Sequence, residues 1–150
     1  MEWIILFIVS WALFFLLVDR KNIRINIWAG FFAILLQLLV DTIAMFHSWY
    51  DVRKLILPHI FGSSLFFCFG PVPAISILMA QFHPVKRWMI IAHVFVLFAL
   101  YSAQEYLLVA RGAVVYTDWH FHDSAFVNIL VMMTISWFII LILNKRKLNV

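Results

Sequence analysis

The stretch from Tyr101 to Asp123 reads YSAQEYLLVARGAVVYTDWHFHD, and the rest of the chain is organised around it. It begins inside an apolar helix that carries a carboxylate at Glu105, and it ends in a cluster of aromatic, histidine and aspartate residues. A helix face in contact with lipid has no physical reason to carry Glu105, because a charged group is costly in hydrocarbon. We therefore expect a functional site where this helix leaves the membrane.

The composition of the chain is that of an integral membrane protein. Of its 150 residues, 66% are hydrophobic and 12% are charged, whereas soluble domains carry about 25% charged residues. Several apolar stretches approach the length of about 20 residues that spans a hydrocarbon core. We expect residues 1–150 to form a single transmembrane domain in the lipid bilayer. The lone cysteine excludes an intramolecular disulfide and a cysteine-built metal site.

The pattern of apolar stretches predicts an all-α fold, an integral membrane bundle of five transmembrane helices. The predicted helices cover residues 3–18, 25–46, 55–80, 88–110 and 124–143. The third should be kinked or broken at Gly70-Pro71-Val72-Pro73, because proline removes a backbone hydrogen bond and clashes with the preceding turn.

The positions of lysine and arginine predict the orientation of the bundle. One side carries eight basic residues: Arg20, Lys21, Arg24, Lys86, Arg87, Lys145, Arg146 and Lys147. The other side carries three: Arg53, Lys54 and Arg111. Short loops rich in basic residues stay in the cytoplasm, so we expect the N-terminus outside and the C-terminus in the cytoplasm. The same rule explains the net charge of +4 without a nucleic-acid partner.

This orientation gathers acids and histidines near the outer face. Asp41 and Glu105 lie late in outward-running helices, and His59 lies early in an inward-running one. Gln37 and Tyr101 each precede an acid by four residues, so either can hydrogen-bond to it. The ligand-binding residues predicted from this convergence are Asp41, His59, Tyr101, Glu105, Trp119 and His120.

Three functions are compatible with this outer cluster. The favoured one is an outer-leaflet polar and aromatic pocket that binds or passes a small molecule or ion, or docks a membrane-protein partner. Its aromatic rim would be Trp49, Tyr50, Tyr116, Trp119 and Phe121. The second is a membrane enzyme with a divalent metal, whose ligands would be His59, Glu105, His120 and His122. The third is an assembly subunit in which buried polar groups serve packing alone.

Short motifs spread over most of the chain resemble those of a known family. They are Asp41, Trp49-Tyr50, Leu57-Pro58, Met79-Ala80-Gln81-Phe82-His83-Pro84, Lys86-Arg87-Trp88, Glu105, Trp119-His120 and Ser124. Together they resemble an uncharacterised family of small multi-pass membrane proteins from Bacillus and Clostridium relatives, in the Firmicutes. The resemblance implies the plasma membrane of a Gram-positive bacterium and no particular reaction. It directs attention to Asp41, Glu105, Trp119 and His120.

Overall fold

The computed structural model describes residues 1–53 and 61–143, which are mostly helical. The helices are α1 (Glu2–Leu17), α2 (Ile23–Phe46), α3 (Leu65–Cys68), α4 (Pro71–Gln81), α5 (Arg87–Ala110) and α6 (Phe121–Leu141). Helices α3 and α4 are the two parts of the third predicted helix. The prediction of a mainly helical chain is confirmed. In the described residues, α2, α5 and α6 are long and apolar enough to cross a membrane, while Glu2–Leu17 and Leu65–Gln81 are shorter.

The prediction of an all-α fold was wrong in the two loops that follow α2 and α5, where a small sheet forms. Strand β1 (Tyr50–Val52) pairs antiparallel with β2 (Val114–Tyr116), and Tyr50 lies opposite Tyr116. Both strands consist largely of tyrosine and valine, which favour extended backbone. Each strand has only three residues and its partner is distant in sequence, so local periodicity does not reveal either one.

The third predicted helix is interrupted at the expected place, by a break and not only a kink. Helix α3 ends at Cys68, and α4 begins at Pro71. Pro71 and Pro73 lie in the first turn of α4, where the missing backbone N–H groups cost little. Gly70 occupies the break, and a Cβ atom added there would lie 2.8 Å from the ring of Phe7 in α1. Because Gly70 has no side chain, α1 can approach the backbone closely at this point.

The third helix also begins later than predicted. Residues 61–64 are not helical, because Phe61 and Gly62 have positive φ angles of 49° and 81°, which the right-handed helix excludes. A Cβ atom on Gly62 would lie only 2.8 Å from the carbonyl oxygen of Asp41. This segment therefore packs directly on the backbone of α2, beside a predicted site residue. The rest of the predicted start, residues 55–60, lies outside the described residues.

Helix α4 occupies the middle of the bundle, in contact with α1, α2 and α6, and α5 packs chiefly against α6. At the end of the bundle that carries the sheet, the Trp3 indole donates to the Arg53 carbonyl at 2.9 Å. At the opposite end, the Gln81 side-chain amide donates to the Leu17 carbonyl at 2.8 Å. We call the first of these the sheet end. It contains the beginning of α1 and the ends of α2 and α5.

Candidate functional site

A cavity lies below the sheet, between the helices at the sheet end. Four of the predicted ligand-binding residues line it: Asp41, Tyr101, Glu105 and Trp119. The two acids occur at equivalent depths, because Asp41 precedes the end of α2 by five residues and Glu105 precedes the end of α5 by five residues. Five residues correspond to about 7.5 Å along a helix. The structure thus brings together residues that are distant in sequence.

The cavity is small and has a partly apolar wall. About 80 Å³ of it is open to the centre of a water-sized sphere. One water molecule needs at least about 10–15 Å³ by this measure, so the cavity has room for a few waters or for one ligand of a few heavy atoms. The apolar part of the wall includes Trp3, Val52, Phe67, Leu108, Val127 and Val131.

The Asp41 carboxylate is buried, and both of its oxygens accept hydrogen bonds. The Gln37 amide donates to Oδ2 at 2.9 Å, as the sequence predicted, and the Tyr50 hydroxyl of β1 donates to Oδ1. The Tyr101 hydroxyl donates to Gln37 Oε1 at 2.8 Å. One network therefore connects α2, α5 and the sheet through Asp41.

Glu105 has a corresponding pair of donors from other elements. The Tyr116 hydroxyl of β2 donates to Oε1 at 2.8 Å, and the Asn128 amide of α6 donates to Oε2 at 2.6 Å. The predicted bond from Tyr101 to Glu105 was wrong. Tyr101 has a single hydroxyl proton, and that proton is donated across the bundle to Gln37.

Trp119 links the hydrogen bonds around Glu105 to the ring of Trp49. Its indole N–H donates to Ser124 Oγ at 2.6 Å, and Ser124 Oγ lies 3.3 Å from the Tyr116 hydroxyl. Because the one proton of Tyr116 is directed to Glu105, Ser124 must be the donor in this contact. The ring of Trp119 also stacks on Trp49, with centroids 4.6 Å apart. The hydrogen bond to Ser124 and the stacking on Trp49 together fix the position of Trp119.

The two tyrosines of the sheet are neutral donors over the whole physiological pH range. Burial raises the pKa of the Tyr50 hydroxyl above its ordinary value, and the negative charge of Asp41 raises it further. Burial likewise raises the pKa of Tyr116, with an added contribution from Glu105. Both hydroxyls therefore keep the proton that each donates to a carboxylate.

Two serines in the cavity wall have unused hydrogen-bonding capacity. Ser63 and Ser64 line the cavity and are 1% and 2% exposed. Within residues 1–53 and 61–143, the Ser64 hydroxyl has no hydrogen-bond partner. Ser63 lies near enough to Asp41 to interact with its carboxylate, but it makes no hydrogen bond of ordinary geometry. A buried hydroxyl without a partner is costly, so this wall is suited to a polar guest or water.

The histidines of the predicted site lie apart from the cavity or outside the described residues. His59 lies outside the described residues. His120 is largely exposed, and its backbone N–H donates to the Asp123 carboxylate at 2.9 Å at the start of α6. His122 lies in the first turn of that helix and is exposed.

The predicted divalent-metal site therefore has no complete ligand set in the part of the chain that the structure describes. There, no three histidine, cysteine, aspartate or glutamate residues are grouped closely enough to hold a metal ion. Glu105 faces the cavity, while His120 and His122 stack on each other at the start of α6 with ring centroids 5.9 Å apart. Because His59 is outside the described residues, the metal site stays a prediction.

Sequence reasoning missed several residues that form the site. Tyr50 and Tyr116 were assigned to an aromatic rim, but they are donors to the two acids. Asn128 stood out as a polar residue in an apolar helix, and that signal could have identified it as a partner of Glu105. Ser63 and Ser64 gave no signal, because serines are common in membrane helices.

No known protein family, curated protein or solved structure matches this chain. The function therefore has to be inferred from the cavity itself. The resemblance to small membrane proteins of Bacillus and Clostridium relatives stays a prediction.

Proposed function

We propose that this chain is a multi-pass membrane protein that binds a small solute in the cavity at its sheet end. The observation that carries the proposal is the convergence on one small cavity of two acids, their tyrosine donors and a serine with no partner among the described residues. The same residues come from α2, α5, both strands and the segment before α3. Binding or passage of a solute would use this arrangement directly.

The basic residues support placing the sheet end on the outer side of the plasma membrane. Arg53 and Arg111 follow the elements at this end, whereas Arg20, Lys21 and Lys86 lie at the other end, among the eight basic residues of the predicted cytoplasmic side. We therefore propose that the N-terminus lies outside and the cavity lies in the outer leaflet. Five membrane crossings are part of the proposal, with the shorter helices accommodated by local thinning of the bilayer. The family resemblance suggests a Gram-positive host.

The open volume favours a binding site over a purely structural role in assembly. Polar residues that only hold helices together are normally satisfied by one another, and the helices pack closely around them. Here about 80 Å³ stays open beside Asp41 and Glu105, and the buried Ser64 hydroxyl is unpartnered among the described residues. Both features are explained if water or a ligand completes the site.

Filling the cavity tests this proposal. Val127 lines the cavity. In the full-length protein in lipid nanodiscs, a bound small solute should raise the melting temperature, and we expect Val127→Phe to abolish that rise. Val96→Phe makes the same change on an exposed face of α5, and it should leave that rise intact. The measurement is a thermal-shift titration with charged and neutral solutes of up to about five heavy atoms.

Two results would contradict the proposal. One is that no small solute raises the melting temperature of the wild-type protein, which would favour an assembly subunit. The other is that Val127→Phe and Val96→Phe respond to a solute as the wild type does, which would locate the binding elsewhere. If Val127→Phe fails to fold, Ser64→Leu provides a second cavity-filling variant.

A further inference from the structure

We infer that the solute held in the cavity is a small primary ammonium ion of the size of methylammonium. This inference depends on the proposed function, because it specifies the ligand of the same cavity. It is drawn from the charge of the wall, the free acceptor positions on it and the aromatic rings beside them.

The charged groups that line the cavity are acidic. Asp41 and Glu105 contribute carboxylates from two different helices, and among the described lining residues there is no lysine, arginine or histidine. Their donors Gln37, Tyr50 and Asn128 are neutral groups, which satisfy oxygens but do not cancel charge. Burying two carboxylates as anions in a confined, partly apolar space is costly without a positive partner, and a cationic guest supplies one.

The carboxylates retain room for further donors after their protein contacts are counted. An ionised carboxylate has about four lone-pair positions. Asp41 uses two of them for Gln37 and Tyr50, and Glu105 uses two for Tyr116 and Asn128. A primary ammonium group brings three N–H donors, which matches two carboxylates and the free hydroxyl of Ser64.

Ser64 is the independent observation that points to a guest. Its hydroxyl is 2% exposed, lines the cavity and has no partner among the residues that the structure describes. The acids by themselves would be compatible with a purely structural network. An unpartnered acceptor beside them is explained when a donor enters the cavity, since burial without a partner is otherwise costly.

Several features favour ammonium over a metal cation. Magnesium and calcium require about six or more oxygen ligands in a defined geometry, and no three acidic, histidine or cysteine side chains are grouped for a metal within the described ranges. The wall also includes the rings of Trp3, Phe67 and Tyr101. Aromatic faces attract organic cations, and apolar side chains accommodate a methyl group. A volume of about 80 Å³ limits the guest to a few heavy atoms.

Titration with methylammonium chloride tests the inference on the full-length protein in nanodiscs at constant pH and ionic strength. Isothermal calorimetry should detect binding of methylammonium, and tetramethylammonium should bind at least tenfold more weakly because it has no N–H donors and is larger. We expect Glu105→Gln and Ser64→Ala each to weaken methylammonium binding at least fivefold. Asp118→Asn changes an exposed acid that does not line the cavity, and it should leave the affinity unchanged.

The alternative outcomes separate the two proposals. If methanol or formamide binds as tightly as methylammonium and Glu105→Gln has no effect, the cation inference is overturned while solute binding stands. If sodium or potassium binds more tightly than methylammonium, the choice of an ammonium ion is wrong. If none of these solutes binds to the wild type, both proposals fail. Should Glu105→Gln not fold, Ser64→Ala and the comparison of solutes decide the question.

Discussion

The carboxylates of Asp41 and Glu105 accept hydrogen bonds from the same kinds of donor, although they belong to different helices. Each accepts one hydrogen bond from a tyrosine of the sheet and one from a side-chain amide of a helix. Hydrogen bonds between helices in membranes contribute about 0.6 kcal/mol on average and up to about 1.7 kcal/mol. A carboxylate that loses one of its buried donors is costlier than that average, because a charged acceptor is then left partly unsatisfied.

Removal of one donor hydroxyl should therefore destabilise the protein measurably. We predict that Tyr50→Phe lowers the free energy of unfolding by about 1–3 kcal/mol, because it leaves one oxygen of buried Asp41 without its donor. Tyr106→Phe changes a tyrosine that is 60% exposed on α5, and it should have an effect within about 0.5 kcal/mol. Reversible unfolding in mixed micelles gives both values. Equal effects of the two changes would show that the bond to Asp41 contributes little.

The close approach of α2 and α4 depends on small residues at their contact. Ala29, Gly30 and Ala33 are buried on one face of α2, and a Cβ atom on Gly30 would lie 2.9 Å from the side chain of Ile77 in α4. Small residues allow backbones to approach in membranes, where packing replaces the hydrophobic driving force between helices. The segment before α3 approaches α2 in the same manner through Gly62.

Two glycines adopt the left-handed backbone conformation. Comparing them distinguishes the cost of that conformation for another residue from the cost of a steric clash. Gly62 and Gly112 have φ angles of 81° and 66°. A Cβ atom on Gly62 would lie 2.8 Å from the Asp41 carbonyl oxygen, whereas one on Gly112 would have no atom of the described residues within 4 Å. We predict that Gly112→Ala costs about 1–2 kcal/mol of stability, the usual strain of this conformation. Gly62→Ala should cost at least about 1 kcal/mol more, because two backbones must also move apart.

Chemical denaturation of both variants measures this difference. A cost for Gly62→Ala no larger than that for Gly112→Ala would show that the segment before α3 adapts without strain. In that case, the packing of residues 61–64 on α2 would not be what fixes the position of Ser63 and Ser64 beside Asp41.

The whole molecule has two chemically different ends. The sheet end carries the cavity and the stacked pair Trp49 and Trp119. The opposite end carries Arg20, Lys21, Lys86 and Arg87. This asymmetry is what orients a membrane protein, because basic loops are retained in the cytoplasm. The proposed outward position of the cavity follows from it and can be tested independently of ligand binding.

Cysteine labelling on intact cells tests this orientation. Thr117 and Lys86 are exposed in the loops at the two ends, and the single native Cys68 is buried. We predict that a membrane-impermeant maleimide labels the Thr117→Cys variant and leaves the Lys86→Cys variant unlabelled until the cells are permeabilised. The wild type controls for reaction at Cys68. The reverse labelling pattern would place the cavity on the cytoplasmic side and remove the outer-leaflet proposal.

Local features of the sequence were sufficient for the helices and for part of the site. The apolar stretches located the long helices, because helix length is set by the thickness of the hydrocarbon core. Gly70-Pro71-Val72-Pro73 indicated an interruption, although not its extent. The bond between Gln37 and Asp41 followed from a spacing of four residues, which places both on one face of a helix.

Only the tertiary structure decided which groups satisfy the acids and where an unsatisfied group is left. The pairing of Tyr50 with Tyr116 and the bond from Asn128 to Glu105 depend on segments distant in sequence. So does the lack of a partner for the Ser64 hydroxyl within residues 1–53 and 61–143. Spacing along the chain specifies neighbours within one helix, because the helical repeat fixes them. Contacts between elements depend instead on how the backbones approach one another. Only the packing of the helices and strands therefore decides which groups line the cavity and which of them donate to the two acids.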